Sequence, residues 1–381
     1  MFVASLAKLD RWLEKKGWAG YDPYDIRGIK SFLYMQRNRY ANYGSNFLLE
    51  RYPMFFRKAF RIKKQVNAKG MGLFARAYLN LYKKTRDESY MRKALDCLGW
   101  LQKNPSKGYS SCSWGYPFDW QSRVFIPRGT PSSVVTSTVA HAFLDAYEIL
   151  NDESFLNVAK SCNNFILNDL NIDKVSENAI CFSYTPIDNF HVHNANLLSA
   201  SVLLRSHVHF RESKYKEFGV KAMNYTVNHQ NEDGSWYYWA PPDKLDHHVD
   251  NYHTGFVLEC LNVARRALGE EFNYASELRK GLEFYADNLF LEDGEPKMFH
   301  DRLYPVDIHS CAQGIITFRE LVDFEPKYLD LAERITEWTI SNMQDEEGYF
   351  YYRIHKNQKV DRTGYIRWGQ AWMLRALSHV V

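Results

Sequence analysis

Hydrophobic and polar residues alternate along this chain in segments with helical spacing, which polar loops separate. Five charged segments have apolar residues at every third or fourth position, which predicts amphipathic helices over 90–101, 155–167, 215–229, 275–288 and 328–343. Six further segments are richer in small and apolar residues, and they begin close to Gly72, Ser133, Asn194, His253, His309 and Trp368. The two kinds of segment alternate through the chain.

The apolar segments begin about sixty residues apart, and such a period should be sought before any other sign of the fold. Small side chains let helices approach closely, as an inner ring of helices requires, and charged helices then lie outside. The sequence therefore predicts an all-α fold, an (α/α)6 toroid of six helical hairpins. An open helical solenoid is the competing architecture. We expect only short strands, near Tyr237 or over 349–353.

The chain contains no Pro/Gly/Ser-rich linker, so residues 1–381 are expected to form a single toroid domain. Residues 17–69 interrupt the first hairpin with the sequence Tyr-Asp-Pro-Tyr-Asp at 21–25 and with a predicted helix near 47–60. We expect this segment to be an insertion that caps one mouth of the ring.

Composition narrows the class of protein. With 48 basic and 45 acidic residues the net charge is only +3, which gives no field strong enough to hold nucleic acid. No basic and apolar leader and no run of eighteen apolar residues is seen, which predicts a cytoplasmic protein without stable membrane insertion. The six cysteines include no C-x-x-C pair and are expected to be free thiols.

Aromatic residues make up 16% of the chain, and many lie in loops beside Gly, Asp and His. Such side chains favour a surface that stacks on flat ligands such as sugar rings. In a closed ring the loops that enter the inner helices meet at one mouth, where we place the candidate site. The candidate catalytic residues are Asp22, Asp119, His193, Asp250, His253, Asp307 and His309. The candidate substrate-binding residues are Trp114, Tyr116, His191, Asn194, Trp236, Tyr252, Arg367 and Trp368.

Three chemistries suit such a mouth. Glycoside hydrolysis needs a carboxylic acid, for which Asp250 or Asp307 is the candidate, and a second carboxylate opposite, Asp22 or Asp119. Elimination or epimerisation beside a uronate carboxylate needs a base, His253 or His193, and a cation such as Arg367 to hold the acid group.

A zinc site built from Asp307, His309, Cys311 and His253 is disfavoured, because helical residues two apart point away from each other. We expect neither a metal nor a cofactor. Taken singly, His253 and Asp307 are also consistent with ordinary helix capping.

Three motifs resemble known families. Residues 230–236 fit the Q-x-x-x-G-x-W pattern of triterpene cyclases and related toroids, and 344–350 repeat it with Phe in place of Trp. In those proteins the motif ties outer helices to the next hairpin, which implies a structural role here. The D-x-D-D and D-D-x-x-D motifs of isoprenoid enzymes are absent from the sequence.

Residues 367–372 resemble the R-G-Q-A-W segment that borders the sugar site of unsaturated glucuronyl hydrolases and other six-hairpin glycosidases, with Trp368 inserted after the arginine. Residues 310–314 are similar to the S-A-M-A-Q-G segment of glucuronyl C5-epimerases. The whole chain, including residues 20–25, resembles helical-toroid proteins of capsule and surface-polysaccharide gene clusters.

These resemblances imply a carbohydrate-active enzyme of surface-polysaccharide metabolism that acts on an oligosaccharide, a polysaccharide or a lipid-linked saccharide. Hydrolase and uronate-type lyase or epimerase both remain open. One alternative is a non-catalytic glycan-binding or scaffold protein. Another is an isoprenoid or terpenoid cyclase, which a cavity lined mainly by aromatic side chains without a charged cluster would favour. The sequence does not indicate an oligomeric state.

Overall fold

A computed structural model of the protein describes residues 1–29, 48–49, 51–243 and 247–381. The middle of the expected cap, residues 30–47 and residue 50, lies outside the described residues. The described part of the chain contains thirteen α-helices. They are α1 Phe2–Lys16, α2 Pro53–Ala59, α3 Ala68–Thr85, α4 Glu88–Lys103, α5 Ser133–Leu150, α6 Glu153–Asn168, α7 His193–Phe210, α8 Ser213–Val227, α9 Asn251–Leu268, α10 Ala275–Leu289, α11 Ile308–Glu320, α12 Leu329–Met343 and α13 Trp372–Val380.

The helices form two concentric rings. In the inner ring, α3, α5, α7, α9, α11 and α13 each pack against the next, and α13 packs against α3. The outer helices α4, α6, α8, α10, α12 and α1 each pack mainly on one inner helix. The contact between α13 and α3 closes the ring and excludes an open solenoid. The predicted (α/α)6 toroid is therefore confirmed.

Burial follows the two kinds of sequence pattern. Every residue of the inner helix α7 from His193 to Leu204 is buried, as expected for a helix with neighbours on all sides. The outer helix α4 buries only Ala94, Cys97, Leu98 and Leu101, a single stripe at helical spacing. The charged outer helices therefore expose one face, and the inner helices expose little.

Tight turns join the first three inner helices to the outer helices that follow. In the first two hairpins the inner helix ends at a left-handed residue, Arg86 or Asn151, and the next residue, Asp87 or Asp152, accepts a hydrogen bond from the N–H two residues further on. This side-chain cap satisfies an N–H that would otherwise lack a partner, so the turn reverses the chain at little cost.

The Q-x-x-x-G motifs link adjacent outer helices, as their resemblance implies. The Gln230 side chain donates to the carbonyls of Gly234 and of Glu277 in α10, and the Trp236 indole donates to the Thr226 carbonyl. The Gln344 side chain donates to the carbonyls of Gly348 and of Ser5 in α1. The second motif therefore closes the outer ring.

Short strands are confined to the loops, all antiparallel. They are β1 Ala19–Gly20, β2 Gln65–Val66, β3 Trp120–Gln121, β4 Phe125–Ile126, β5 Ile172–Ser176, β6 Ala179–Phe182, β7 Val306–Asp307, β8 Arg353–Ile354 and β9 Val360–Asp361. The expected ribbon near 349–353 is present as β8, which pairs with both β7 and β9. The hairpin of β5 and β6 was not predicted.

The six cysteines are free thiols, as expected. Within the described ranges, no helix has both the length and the apolar character that a bilayer crossing requires.

Gly348 gives a test of the ring closure. Its φ is +106°, and a Cβ there would lie 2.4 Å from the Lys8 carbonyl oxygen of α1. We expect Gly348→Ala to lower the free energy of unfolding by about 3 kcal/mol, through the left-handed backbone and the overlap together. Urea denaturation measures the change.

Gly108 is the matched control, because its φ is +86° but a Cβ there would meet nothing within 4 Å. We expect Gly108→Ala to cost only the backbone part, about 1–2 kcal/mol. Equal losses in the two variants would show that the contact between Gly348 and α1 does not stabilise the ring.

Candidate active site

The N-terminal ends of the inner helices meet at one end of the ring, and the Trp368 side chain lies at their centre. Its ring centroid is 5.3 Å from that of Tyr24, 5.7 Å from that of Tyr252 and 4.6 Å from that of His309. Its Nε1 donates to Asp307 at 2.8 Å. Three hairpins and the segment before β2 therefore share one aromatic contact.

Trp368 belongs to a π-helical turn, Ile366–Ala371, that leads into α13. A π-helical turn holds more residues than an α-helical turn, and such turns are frequent at functional sites. Trp368 is also the residue by which this segment departs from the R-G-Q-A-W pattern. The wider turn accommodates the inserted residue.

Arg367 and Asp22 form a buried bidentate ion pair. Arg367 Nε lies 2.6 Å from Asp22 Oδ2, and Arg367 Nη2 lies 2.7 Å from Asp22 Oδ1. The guanidinium also lies 5.3 Å from the Tyr116 ring and 4.9 Å from the Trp368 ring. The sequence grouped these residues at one mouth, and they are in contact.

Asp307 is fully buried and receives three kinds of donor. Its carboxylate accepts from the His309 N–H at 2.9 Å, from Arg353 Nε at 2.6 Å and from the Trp368 indole. Asp307 therefore begins α11 and holds Trp368 in place. Arg353 was not anticipated, since only the pairing of β7 with β8 sets it opposite Asp307.

His253 and Asp250 form a dyad at the start of α9. One carboxylate oxygen of Asp250 accepts from the His253 N–H at 2.9 Å, and the other lies 2.7 Å from His253 Nδ1. This bond assigns the proton to Nδ1 and leaves Nε2 as a proton acceptor. The imidazole is partly exposed and packs against Tyr238 and Tyr252, with ring centroids 4.4 Å apart in both cases.

His309 contacts the same tyrosine. Its ring stacks on Tyr252 at 4.6 Å with an interplanar angle of 6°, and neither ring nitrogen has a hydrogen-bond partner in the structure. The pKa of His309 lies well below its usual value, mainly because the ring is buried and secondly because Lys69 and Arg367 carry positive charge nearby. A buried polar group without a partner costs free energy and calls for an explanation. A ligand that bonds to the neutral imidazole would supply one.

Lys69 is a member of this site that the sequence analysis missed. Its ammonium nitrogen lies 5.1 Å from the Phe256 ring centroid and 5.2 Å from that of Trp372. Burial, followed by the charge of Arg367, lowers the pKa of Lys69 to about 7. The two carboxylates that attract it, Asp22 and Glu259, are paired with arginines. The available signal was a lysine within the small and apolar first turn of an inner helix.

His193 and Asn194 adjoin the dyad. Together with Asp250 and His253 they line a cavity of about 10 Å³, room for a single water-sized sphere. Burial, followed by the neighbouring His229 and His191, lowers the pKa of His193 to about 3. His193 Nδ1 and Asn194 Oδ1 lack partners in the structure.

Two tryptophans lie elsewhere than expected. Trp114 is in the hydrophobic core, where its indole N–H donates to the Leu101 carbonyl at 3.1 Å. Trp236 is also buried, with its N–H on the Thr226 carbonyl, and it contributes to the wall of the cavity beside His253. Their assignment to stacking on sugar rings is therefore corrected, because each indole is already enclosed and hydrogen-bonded.

His191 and Asp119 make hydrogen bonds with residues that do not contact Trp368. His191 Nδ1 lies 2.7 Å from the Tyr225 hydroxyl, and its Nε2 lies 3.0 Å from an Asp173 oxygen. The Asp119 carboxylate accepts from the Arg128 N–H at 2.7 Å, which fixes its own loop. Neither contact links these two side chains to Arg367 or His309.

The mouth at which the sequence places the site is closed in this structure. Asp22 and Tyr24 lie on Arg367 and Trp368, and a cavity beside Asp22 measures only about 10 Å³. No group of three or more His, Cys, Asp or Glu side chains that could hold a metal ion occurs in the described ranges. Cys311 Sγ lies 3.6 Å from Met343 Sδ and contacts the Asp307 carbonyl, not its carboxylate.

No protein-family model and no curated protein sequence matches this chain. Solved structures do. A sugar epimerase from a ruminal bacterium matches with a TM-score of 0.66 and 13% identity, covering 83% of this chain and 87% of that chain. Cellobiose 2-epimerase from Bacillus thermoamylovorans matches with a TM-score of 0.66 and 12% identity, covering 83% of this chain and 88% of that chain. Unsaturated glucuronyl hydrolase from Bacillus sp. GL1 matches with a TM-score of 0.60 and 14% identity, covering 80% of this chain and 84% of that chain.

At these identities the similarity establishes the fold. The (α/α)6 toroid and the resemblance to six-hairpin carbohydrate-active proteins are thereby confirmed at the level of the fold.

Lys69 makes stability depend on pH. Its folded-state pKa of about 7 lies below the usual 10.5, so between these values the unfolded chain binds a proton that the folded chain does not. Stability therefore rises with pH across this interval, and the cost of burying the charge is full below pH 7. We expect Lys69→Met to raise stability by a few kcal/mol at pH 6 and progressively less toward pH 10. Thermal unfolding at several pH values measures the effect.

Lys83 lies on the same helix but is exposed, so Lys83→Met is the matched control and should change stability little at any pH. A Lys69→Met effect that does not vary with pH would show that the amine is solvated.

Proposed function

We propose that this protein is a carbohydrate-active enzyme that removes a proton from a sugar carbon beside a carbonyl or carboxyl group, and so epimerises the sugar or eliminates from it. The observation that carries the proposal is the pair of histidines on Tyr252. His253, oriented by Asp250, and His309, neutral and without a partner, both lie within 4.6 Å of that ring. In an epimerisation one histidine takes the proton from one face of the carbon, and the other, protonated from solvent beforehand, delivers a proton to the opposite face; in an elimination one histidine takes the proton and the leaving group departs.

The carboxylates argue against hydrolysis. A glycosidase needs one carboxyl group that delivers a proton and a second that acts as base or nucleophile. Here Asp22 accepts from Arg367, Asp307 from Arg353 and Trp368, and Asp250 from His253. Each carboxylate is already an acceptor for donors of the protein, so none offers a proton to a leaving group.

Proton abstraction beside a carbonyl places negative charge on a sugar oxygen, and fixed cations stabilise such charge. Lys69 and Arg367 are the basic residues next to His309. In this proposal a substrate carboxylate or oxyanion replaces the Asp22 carboxylate on Arg367. Tyr116, Tyr252 and Trp368 then line the sugar.

Entry of a sugar requires residues 17–29 to move from the mouth, because Asp22 and Tyr24 occupy it. We therefore retain residues 17–69 as a cap within a single domain. Arg57 and Asp25 form a buried ion pair at 2.9 Å, which joins the two described parts of this cap.

The substrate in this proposal is an oligosaccharide, a polysaccharide or a lipid-linked saccharide of bacterial surface-polysaccharide metabolism, handled in the cytoplasm. The resemblance to toroid proteins of such gene clusters supports it. So does the similarity in fold to sugar epimerases. The buried charged groups, Asp22 with Arg367 and Asp307 with Arg353, disfavour a cyclase that binds an apolar substrate.

Isotope exchange tests the reaction class. Incubation in D₂O with reducing disaccharides and with uronate-containing oligosaccharides should place deuterium at the carbon beside the carbonyl or carboxyl group, as seen by NMR. Elimination would add a conjugated double bond that absorbs in the ultraviolet. New reducing ends without deuterium at that carbon would indicate a hydrolase. Binding without turnover would indicate a glycan-binding protein.

The two histidines should carry this exchange. We expect His253→Ala and His309→Ala each to reduce the rate of deuterium incorporation by about 10²-fold or more, the usual contribution of a general base. His309→Ala removes an unpartnered buried group but also the stacking of the ring on Tyr252, so its melting temperature is measured as well to show that the variant is folded. His209→Ala, at the opposite end of the ring, is the control and should keep the rate. Unchanged rates in both site variants would contradict the proposal.

A further inference from the structure

Large apolar side chains are exposed on α2 and the residue before it. Phe55 is 67% exposed, Tyr52 53% and Met54 49%. A short helix in water normally turns its apolar side toward the core. Here the buried residue of α2 is Arg57, and the exposed ones are aromatic or apolar.

Arg57 explains this inversion. Its guanidinium lies 2.9 Å from Asp25, donates to the Asp22 carbonyl at 2.6 Å and lies 3.2 Å from the Tyr365 hydroxyl. These contacts hold α2 on the mouth of the ring by its charged side. Tyr52 and Phe55 are left exposed, and Met54, whose Sδ lies 3.9 Å from Arg57 Nη1, is half exposed.

The apolar side chains are surrounded by positive charge. From Arg51 to Lys69 the sequence has seven basic residues and no acidic one, while the whole chain carries only +3. Arg51, Lys58, Arg61, Lys63 and Lys64 are exposed. A groove of about 760 Å³ joins Arg51 to Lys356, Lys359 and Arg362 around the hairpin of β8 and β9. The acid in that groove, Asp361, accepts from Thr363.

We propose that this face, the cap patch of Arg51, Tyr52, Met54, Phe55, Lys58, Arg61, Lys63 and Lys64, docks on the surface of a membrane that contains anionic lipids. Aromatic and apolar side chains that project from a basic surface enter the boundary between headgroups and acyl chains, while lysine and arginine bind the phosphates. The basic side chains favour an anionic surface. The exposed Phe55 and Met54 favour a surface that has an apolar layer beneath its charged groups. Such binding is peripheral and needs no helix that crosses the bilayer.

Docking would also orient the candidate site. Arg57 contacts Asp25 and the carbonyl of Asp22, the residue that pairs with Arg367, so the patch lies next to the mouth. An enzyme held in this way meets saccharides on lipid carriers rather than free in solution. This last step rests on the proposed function, whereas the docking itself does not.

Vesicle flotation of the full-length protein tests the docking without any substrate. We expect binding to vesicles of phosphatidylcholine mixed with phosphatidylglycerol, none to phosphatidylcholine alone, and loss of binding in high salt. The double variants Met54→Ser/Phe55→Ser and Lys58→Glu/Lys63→Glu should each weaken binding about tenfold or more. Ile187→Ser, which removes a 47% exposed apolar side chain elsewhere, is the matched control and should bind as wild type.

Several results would overturn the proposal. They are equal binding to neutral vesicles, binding that neither double variant weakens, or full competition by a soluble anionic polysaccharide, which would identify a glycan surface. A lower melting temperature of Met54→Ser/Phe55→Ser would show that these side chains pack within the protein. His253→Ala should bind vesicles like wild type, so a failure of the catalytic proposal is seen separately.

Discussion

The buried ion pair between Asp22 and Arg367 is the contact on which the mouth of the ring depends. It joins residues 345 positions apart, one before the first inner helix and one at the start of the last. A charge pair of this kind adds little net stability, but removal of one partner leaves a buried charge and costs about 3–5 kcal/mol. The pair therefore fixes position more than it adds stability. It sets the π-helical turn in which Trp368 follows Arg367.

A chain of contacts leads from Trp368 to the two histidines. Its indole N–H fixes one oxygen of Asp307, the other oxygen holds Arg353, and the same carboxylate begins the helix that carries His309. His309 then stacks on Tyr252, which precedes His253 in the chain. Contacts between hairpins thus join Trp368, Asp307, Arg353, His309 and Tyr252, so this part of the site is assembled only when the ring closes.

The repeat explains what the sequence could predict. Residues one period apart meet at the same height of neighbouring inner helices, as Asp307 and Trp368 do at a separation of 61 residues and Arg205 and Asp145 at 60. That regularity fixed the fold and the mouth. It could not predict the Asp22–Arg367 pair, which has no periodic relation, or Arg353, which depends on strand pairing. Nor does a period show where a side chain points, which is why Trp114 was misplaced in the site and the burial of Lys69 was overlooked.

The direction of the inner helices gives the two ends of the ring opposite electrostatic character. Helix N-termini carry partial positive charge and C-termini partial negative charge. At the C-terminal end, arginines such as Arg205 and Arg375 pair with Asp145 and Glu259 around a cavity of about 530 Å³. At the N-terminal end the partial positive charges of the helix termini add to the positive charges of Lys69 and Arg367. Negative charge that develops on a bound sugar is therefore stabilised at that end, the one where His253 and His309 lie.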